Sequence, residues 1–175
     1  ANTSGSQFLE PDGMFPNHIP NPENKEAMES ICSAVKNSGA ELGIIFDTDV
    51  DRAGCVDKSG KEINRNRLIA LASIIALKGN EGGTIVTDSV TSTGLTKFIN
   101  ENLHGMHYRF KRGYRNVINE QLRLGAEGIN CPLAMETSGH AAFRDNYYLD
   151  DGAYLMTKII IKMAIWKYGL VPTSI

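Results

Sequence analysis

The stretch LGIIFDTDVDR, residues 42–52, joins an apolar run to three aspartates and an arginine. Its first half, Leu42–Phe46, is short, apolar and bounded by turn residues, which predicts a buried β-strand. Its second half places Asp47, Asp49 and Asp51 at every second residue directly after that strand. Because ligands of α/β folds lie at the carboxyl ends of strands, this loop is a candidate functional site.

Strand and helix signals alternate on both sides of this stretch. Short apolar runs predict strands at residues 42–46, 53–56, 83–87, 107–110 and 132–135. Helical periodicity and capping residues predict helices at residues 24–38, 64–77, 93–102, 114–124 and 151–166. This alternation predicts an α/β fold, a three-layer αβα sandwich with a mixed, mostly parallel sheet.

The proline distribution suggests where the compact part begins. Residues 8–23 carry four of the six prolines, a density that excludes a helix or a central strand. We therefore expect residues 1–23 to be an extended linker or the end of a preceding domain. Residues 24–170 are expected to form one α/β domain, and residues 171–175 to begin a linker to a further C-terminal domain.

Bulk composition excludes several classes of function. The net charge of −2 gives no basic surface for nucleic acid. Cys32, Cys55 and Cys131 lie far apart, without zinc-site spacing or an even count for disulfides, which favours a reduced compartment. No run of 18 apolar residues predicts a membrane span, and the first residues lack the pattern of a signal peptide. We expect a cytoplasmic protein with no nucleic-acid or membrane partner.

The acidic loop predicts a metal site. Three carboxylates held together without a counterion repel one another and raise each other's pKa, and a hard divalent cation such as Mg²⁺ removes that conflict. Arg52 adds a positively charged guanidinium group, whose planar geometry suits a phosphate. An EF-hand does not fit, because the sixth position is Arg52 rather than glycine and the twelfth is Lys58 rather than glutamate. A solvated acidic turn is the alternative without function.

A haloacid-dehalogenase-like phosphatase is a second alternative, because its first motif is also an apolar strand followed by Asp-x-Asp. In that interpretation Asp47 is the nucleophile. Its remaining motifs would have to come from Thr87, Lys111 and the pair Asp150 and Asp151. Asp51, Arg52 and a second polar loop would then have no explanation.

That second loop is AMETSGHAAF, residues 134–143. Glu136 and Ser138 lie two residues apart, so in an extended segment they point the same way and can together hold neighbouring sugar hydroxyls. Gly139 permits a bend or a close approach of a ligand. His140 is a candidate phosphate contact or loop-orienting residue, with a packing role as the alternative.

Together the two loops resemble the α-D-phosphohexomutase superfamily. The segment Asp47-Thr48-Asp49-Val50-Asp51-Arg52 is similar to its metal loop, usually Asp-Gly-Asp-Gly-Asp-Arg, with Thr48 and Val50 in place of glycines. Met135-Glu136-Thr137-Ser138-Gly139-His140 is similar to its sugar loop, usually Gly-Glu-x-Ser-Gly-His. The resemblance covers nearly the whole chain and points to the family's third domain with the linker from the second.

The resemblance implies a role for each candidate residue. Asp47, Asp49 and Asp51 would bind Mg²⁺, and Arg52 would lie near a phosphoserine. Glu136 and Ser138 would hold sugar hydroxyls beside His140. The stretch Lys111, Arg112, Gly113 and Tyr114 falls where the family has a loop that contributes to specificity, and its two basic residues are candidate phosphate contacts.

The resemblance also implies an activity for the whole protein. The family interconverts hexose 1-phosphate and hexose 6-phosphate, with glucose or mannose as the sugar, through a phosphoserine and a bisphosphorylated intermediate. Its donor serine lies in another domain, in a Ser-His-Asn-Pro setting that does not occur in this sequence. We therefore expect the other domains of the same polypeptide to be partners and the isolated chain to be inactive. A non-catalytic sugar-phosphate-binding domain is the remaining alternative.

Overall fold

The computed structural model describes residues 4–63 and 65–169, and within them the strands form two sheets. The helix start expected at Asn64 and the linker expected over residues 171–175 lie outside the described residues. As expected from its prolines, the segment 8–23 contains turns and bends without a helix or strand.

The first sheet is a hairpin, and its connection is the acidic loop. Helix α1, Lys25–Ser38, is capped by the Asn24 side chain and ends at Gly39 in the left-handed conformation. Strands β1, Leu42–Phe46, and β2, Ala53–Asp57, then pair antiparallel, with Phe46 opposite Ala53. Residues 47–52 are therefore held at both ends by the same pair of strands.

The second sheet has the strand order β4-β3-β5-β6. Its strands are β3, Thr84–Asp88; β4, Met106–Phe110; β5, Leu133–Met135; and β6, Ala141–Phe143. β3 pairs parallel with β4 and with β5, whereas β6 returns antiparallel along β5, so the predicted mixed, mostly parallel sheet is confirmed. The sequence analysis did not predict β6, because three small or apolar residues show no alternation.

Helices cover both faces of this sheet. They are α2, Arg65–Ala76; α3, Thr93–Lys97, continued by a π-helical turn over Phe98–Asn102; α4, Tyr114–Ala126; and α5, Gly152–Tyr168. α2, α3 and α5 pack in one apolar cluster and α4 in another. Neighbouring strand residues point to opposite clusters: Ile85, Leu133 and Phe143 to the first, and Val86, Ala134 and Ala142 to the second. This is the predicted three-layer arrangement.

The hairpin packs against the outer side of the first helical layer. Ala53 and Cys55 of β2 belong to the same buried cluster as Leu68 of α2 and Leu155 of α5. This packing places the acidic loop beside the turn between β5 and β6. Across the two described ranges, no helix combines the length and apolar character needed to span a membrane.

Candidate functional site

The acidic loop is anchored by Asp47. Its side chain is fully buried, and Arg52 donates to both of its oxygens, from the backbone N–H to Oδ1 at 3.2 Å and from Nε to Oδ2 at 2.6 Å. Asp49 is exposed and Asp51 is partly buried. One carboxylate oxygen from each of the three aspartates lies within 4.8 Å of the others, so the loop brings the predicted metal ligands together.

The charge of these carboxylates is only partly balanced. Burial opposes ionisation of Asp47, but the hydrogen bonds and charge of Arg52 outweigh it, and the pKa of Asp47 is lowered. Burial raises the pKa of Asp51 to about 6, and the neighbouring Asp47 carboxylate adds to this rise. A site that keeps one carboxylate ionised and resists ionisation of the next suits a hard divalent cation with oxygen ligands.

Val50 adds backbone strain to the acidic loop. Its φ is +65°, a conformation that glycine adopts easily and that a β-branched residue rarely adopts. Thr48, the other residue that stands in place of a usual glycine, is outside that region. The Val50 carbonyl accepts a hydrogen bond of 3.0 Å from the Gly152 N–H at the start of α5, which helps to hold this conformation.

The loop predicted to bind sugar, residues 136–140 and called the sugar loop for that prediction, is a tight turn between β5 and β6 rather than the extended segment that we expected. The Gly139 N–H donates to the Glu136 carbonyl at 3.1 Å, and the Glu136 N–H donates to the His140 carbonyl at 3.0 Å. The turn nevertheless brings the two predicted sugar ligands together, because Ser138 Oγ lies 3.3 Å from Glu136 Oε2. The predicted pairing of carboxylate and hydroxyl therefore arises from a different backbone geometry.

Two members of the stretch 111–114 contact the sugar loop. The Gly113 N–H donates to Glu136 Oε1 at 2.6 Å, and the Tyr114 ring stacks on His140 with ring centroids 4.7 Å apart. Lys111 and Arg112 are exposed, and Lys111 Nζ lies 5.7 Å from the centroid of the Phe110 ring. Gly113 and Tyr114 therefore contact the sugar loop, whereas the two basic residues, Lys111 and Arg112, lie at the surface.

The two loops are joined directly. Arg52 and His140 form an antiparallel β-bridge, and the Ala53 N–H donates to the Gly139 carbonyl at 3.4 Å. Gly139 has φ +104°, and a Cβ there would lie 2.6 Å from the Ala53 carbonyl oxygen. Only a glycine allows this approach, so the bend expected at Gly139 also serves as the joint between the loops.

Asp150 is part of the same site, although the sequence analysis assigned it a candidate role only in the phosphatase alternative. Its Oδ2 lies 2.7 Å from His140 Nδ1, which is also 3.6 Å from Asp51 Oδ2. Burial opposes protonation of His140, but the hydrogen bond to Asp150 outweighs it, and the pKa of His140 is raised. Asp51, His140 and Asp150 form a second group of possible metal ligands. Ten residues separate Asp150 from His140, so no local pattern links them.

Asp88 is another functional candidate that the sequence analysis missed. Asp88 is the last residue of β3, much as Asp47 directly follows the last residue of β1, and Asp88 is fully buried. Its Oδ2 accepts hydrogen bonds from the N–H and Oγ1 of Thr137, inside the sugar loop. An acidic residue at the end of the apolar run TIVTD was the available signal.

The residues that a dehalogenase-like phosphatase would need are used differently. The Thr87 hydroxyl is buried and lies 2.8 Å from His107 Nε2. Asp151 caps α5 by accepting from the Tyr154 N–H at 2.8 Å. Asp150 is paired with His140 rather than with the acidic loop's nucleophile candidate.

Fold and site together define an α/β protein in which a loop of three carboxylates lies beside a turn that pairs a carboxylate with a hydroxyl. Comparison with known proteins is consistent with this class. The sequence model of phosphoglucomutase/phosphomannomutase alpha/beta/alpha domain II matches residues 3–60, and that of alpha/beta/alpha domain III matches residues 64–169. The chain belongs to the phosphoglucomutase/phosphomannomutase family, and the phosphatase interpretation is wrong.

Individual relatives are similar over most of the chain. A phosphomannomutase/phosphoglucomutase of Pseudomonas syringae pv. tomato is 36% identical over 89% of this chain and 32% of its own length. A phosphoglucomutase of Neisseria gonorrhoeae is 33% identical over 87% of this chain and 32% of its own length. A solved family protein from Burkholderia thailandensis is 33% identical, with a TM-score of 0.78 over 94% of this chain and 36% of its own. The chain spans about a third of the length of these relatives.

The two domain matches divide the chain between residues 60 and 64. The single domain expected over residues 24–170 stays a prediction. In the structure the hairpin of β1 and β2 forms its own sheet but shares a buried cluster with α2 and α5. The acidic loop falls in the part matched by domain II and the sugar loop in the part matched by domain III.

Proposed function

We propose that this chain supplies the cation- and sugar-binding part of a phosphohexomutase. The whole protein would interconvert hexose 1-phosphate and hexose 6-phosphate of glucose, mannose or both. One observation carries the proposal: the bridge between Arg52 and His140 places the acidic loop and the sugar loop side by side. A cation held by the first loop would therefore be close to a sugar held by the second.

Asp47, Asp49 and Asp51 would hold Mg²⁺. Their oxygens lie within reach of one ion. Burial and, after it, the neighbouring Asp47 carboxylate raise the pKa of Asp51, and a cation would offset the charge of both carboxylates. When bound, Mg²⁺ stabilises the charge that develops on a transferring phosphoryl group. Arg52 supports that role, since its Nε neutralises Asp47 while the rest of its guanidinium can face a phosphate.

Glu136 and Ser138 would bind sugar hydroxyls as a pair. Glu136 is buried and fixed by Gly113, so its carboxylate is oriented before the sugar arrives. Tyr114 and His140 would line the same place with their stacked rings. Lys111 and Arg112, exposed at the neighbouring loop, would meet the substrate phosphate.

The chemistry would require another domain of the same polypeptide. A phosphoserine there would pass its phosphoryl group to the free hydroxyl at C1 or C6, giving a bisphosphorylated sugar and a free serine. After the sugar reorients, the serine oxygen would take the other phosphoryl group and release the isomer. This chain has no Ser-His-Asn-Pro motif, so we expect the 175-residue chain alone to be inactive. Separately, we expect the whole protein to be cytoplasmic.

Steady-state kinetics of the full-length enzyme with glucose 1-phosphate and mannose 1-phosphate test the proposal. Asp49→Asn should lower kcat/KM by at least about 10- to 100-fold at limiting Mg²⁺, the loss seen even for residues that only orient a metal ligand. Glu136→Gln should lower kcat/KM by a similar factor, because a hydrogen bond to a charged acceptor contributes about 1.5–3 kcal/mol.

Asp145→Asn is the matched control, since Asp145 is exposed in the segment after β6. Asp145→Asn should leave kcat/KM for glucose 1-phosphate and for mannose 1-phosphate within about twofold of the original values. Full activity of the Asp49 and Glu136 variants would contradict the proposal. Turnover by the 175-residue chain alone would contradict the assignment of the donor serine to another domain.

A further inference from the structure

Asp88 makes a buried polar contact with the sugar loop from a different strand. Its carboxylate is fully buried at the end of β3. Oδ2 accepts from the Thr137 N–H at 2.9 Å and from Thr137 Oγ1 at 2.7 Å, and Oδ1 accepts from the Val90 N–H at 3.2 Å. Each carboxylate oxygen therefore has at least one donor.

Packing alone does not account for this contact. Burying a carboxylate is costly, and apolar residues of similar size can replace a buried polar pair without loss of stability. The contact instead fixes the position of Thr137, which lies between Glu136 and Ser138. In some proteins a buried polar contact of this kind is retained because it fixes geometry, and the position of Thr137 is what this contact fixes.

The sugar loop is thus held from two independent elements. Asp88 of β3 fixes Thr137, and the Gly113 N–H at the start of α4 fixes the Glu136 carboxylate at 2.6 Å. These two contacts leave Ser138 Oγ and Glu136 Oε2 facing each other at 3.3 Å. β3 is one of the two inner strands of the sheet, so Asp88 lies at the end of a strand that is paired on both sides.

We propose that Asp88 is a positioning residue for sugar binding: through Thr137 it sets the orientation of Glu136 and Ser138 toward the hexose hydroxyls. This inference rests on the proposed function. It adds that binding of the sugar depends on a buried carboxylate that does not itself contact the sugar.

Substitutions at both ends of the contact separate this role from a general structural one. In Asp88→Asn the amide presents an N–H₂ to either Thr137 or Val90, so one donor faces another donor whichever way the amide is turned. Thr137→Val keeps the shape and the backbone N–H but removes one donor from Asp88. Thr137→Ser keeps both donors and is the conservative rescue.

The test is the KM for glucose 1-phosphate in the full-length enzyme. Thr137→Val and Asp88→Asn should raise KM about tenfold with kcat lowered less than about threefold, because the affected contacts bind the sugar in the ground state and transition state alike. Thr137→Ser should stay within about twofold of the original KM. A purely structural role would instead lower kcat with the folded fraction and leave KM unchanged, which would overturn the proposal.

Thr84→Val is the matched control, because Thr84 is a buried threonine at the opposite end of β3. It should destabilise the protein without moving KM, and a tenfold rise in its KM would overturn the proposal. Amide hydrogen exchange in the 175-residue chain gives a readout that does not depend on activity. The Thr137 amide should exchange at least tenfold faster in Asp88→Ala, which removes the acceptor, and unchanged exchange would overturn the positioning role even if the enzyme proves to have no mutase activity.

Discussion

The acidic loop and the sugar loop are neighbours that are stabilised in opposite ways. In the acidic loop, Asp49 is exposed, Val50 is strained and the pKa of Asp51 is raised to about 6. In the sugar loop, Glu136 and Thr137 are buried, and each is hydrogen-bonded to another element. The loop proposed to bind sugar is therefore already held in place by other elements, whereas the loop proposed to bind a cation carries charge that a cation would balance.

This difference fits the demands of the two ligands. A neutral hydroxyl gives little energy per contact, so its binding groups must already be in position. A divalent cation interacts strongly with carboxylates and can draw a loop into shape on binding. We expect substitution of Gly139, at the joint between the loops, to damage the fold, and some substitutions in the acidic loop to stabilise the metal-free chain.

The largest expected effect is at the joint between the loops. Gly139→Ala should lower the free energy of unfolding by about 3 kcal/mol or more, because its Cβ would lie 2.6 Å from the Ala53 carbonyl oxygen at a φ of +104°. Gly128→Ala is the matched control: φ is +86°, but a Cβ there meets no atom within 4 Å. Gly128→Ala should lower the free energy of unfolding by about 1 kcal/mol, which is the cost of the positive φ without any close contact. Equal denaturant midpoints for the two variants would show that the close approach is not a constraint.

The next effect concerns charge in the acidic loop. The folded pKa of Asp51, about 6, lies above its ordinary value of 3.8, so ionising Asp51 destabilises the fold. That cost is complete above pH 6 and absent below pH 3.8. Asp51→Asn should therefore stabilise the metal-free chain by about 1–2 kcal/mol at pH 7.5 and by almost nothing near pH 4.

Chemical denaturation in the presence of a chelator, at both pH values, measures this effect. Asp49→Asn is the control, because Asp49 is exposed in the same loop and should change stability by less than about 0.5 kcal/mol. A stabilisation by Asp51→Asn that is equal at both pH values would contradict an electrostatic origin.

The smallest expected effect is the strain at Val50. Val50→Gly should stabilise the metal-free chain by about 0.5 kcal/mol, the relief of the left-handed strain less the entropy cost of glycine. Thr48→Gly should instead destabilise it by about 0.5–1 kcal/mol, because Thr48 has no positive φ to relieve. Thermal melting of the two variants in parallel gives the comparison, and effects of the same sign would refute it.

Local pattern predicted most of the fold. The helix from Asn24 to Ser38, the strand before Asp47 and the helix after Asp151 follow capping and periodicity rules, and the structure has all three. β6 was missed because three residues carry no periodic signal. The hairpin's separate sheet was also missed, since strand partners depend on contacts far apart in the chain.

The site shows the same division between local and distant information. The acidic aspartates and the pairing of Glu136 with Ser138 could be predicted, because each set lies within six residues of sequence. Asp88 and Asp150 could not, because their partners lie 49 and 10 residues away. Burial and a distant donor gave these two carboxylates their roles, and neither can be read from a local motif.

Binding of a cation in the acidic loop, beside the sugar loop, is the central claim. Mn²⁺, a paramagnetic substitute for Mg²⁺ with the same preference for oxygen ligands, tests it when added to the isotope-labelled 175-residue chain. Amide resonances of residues 47–52 should broaden first and those of residues 138–140 next. Residues 124–126, at the far end of α4 and about 20 Å along the helix, should stay sharp. Broadening that spares residues 47–52, or that persists unchanged in Asp49→Asn, would contradict the claim.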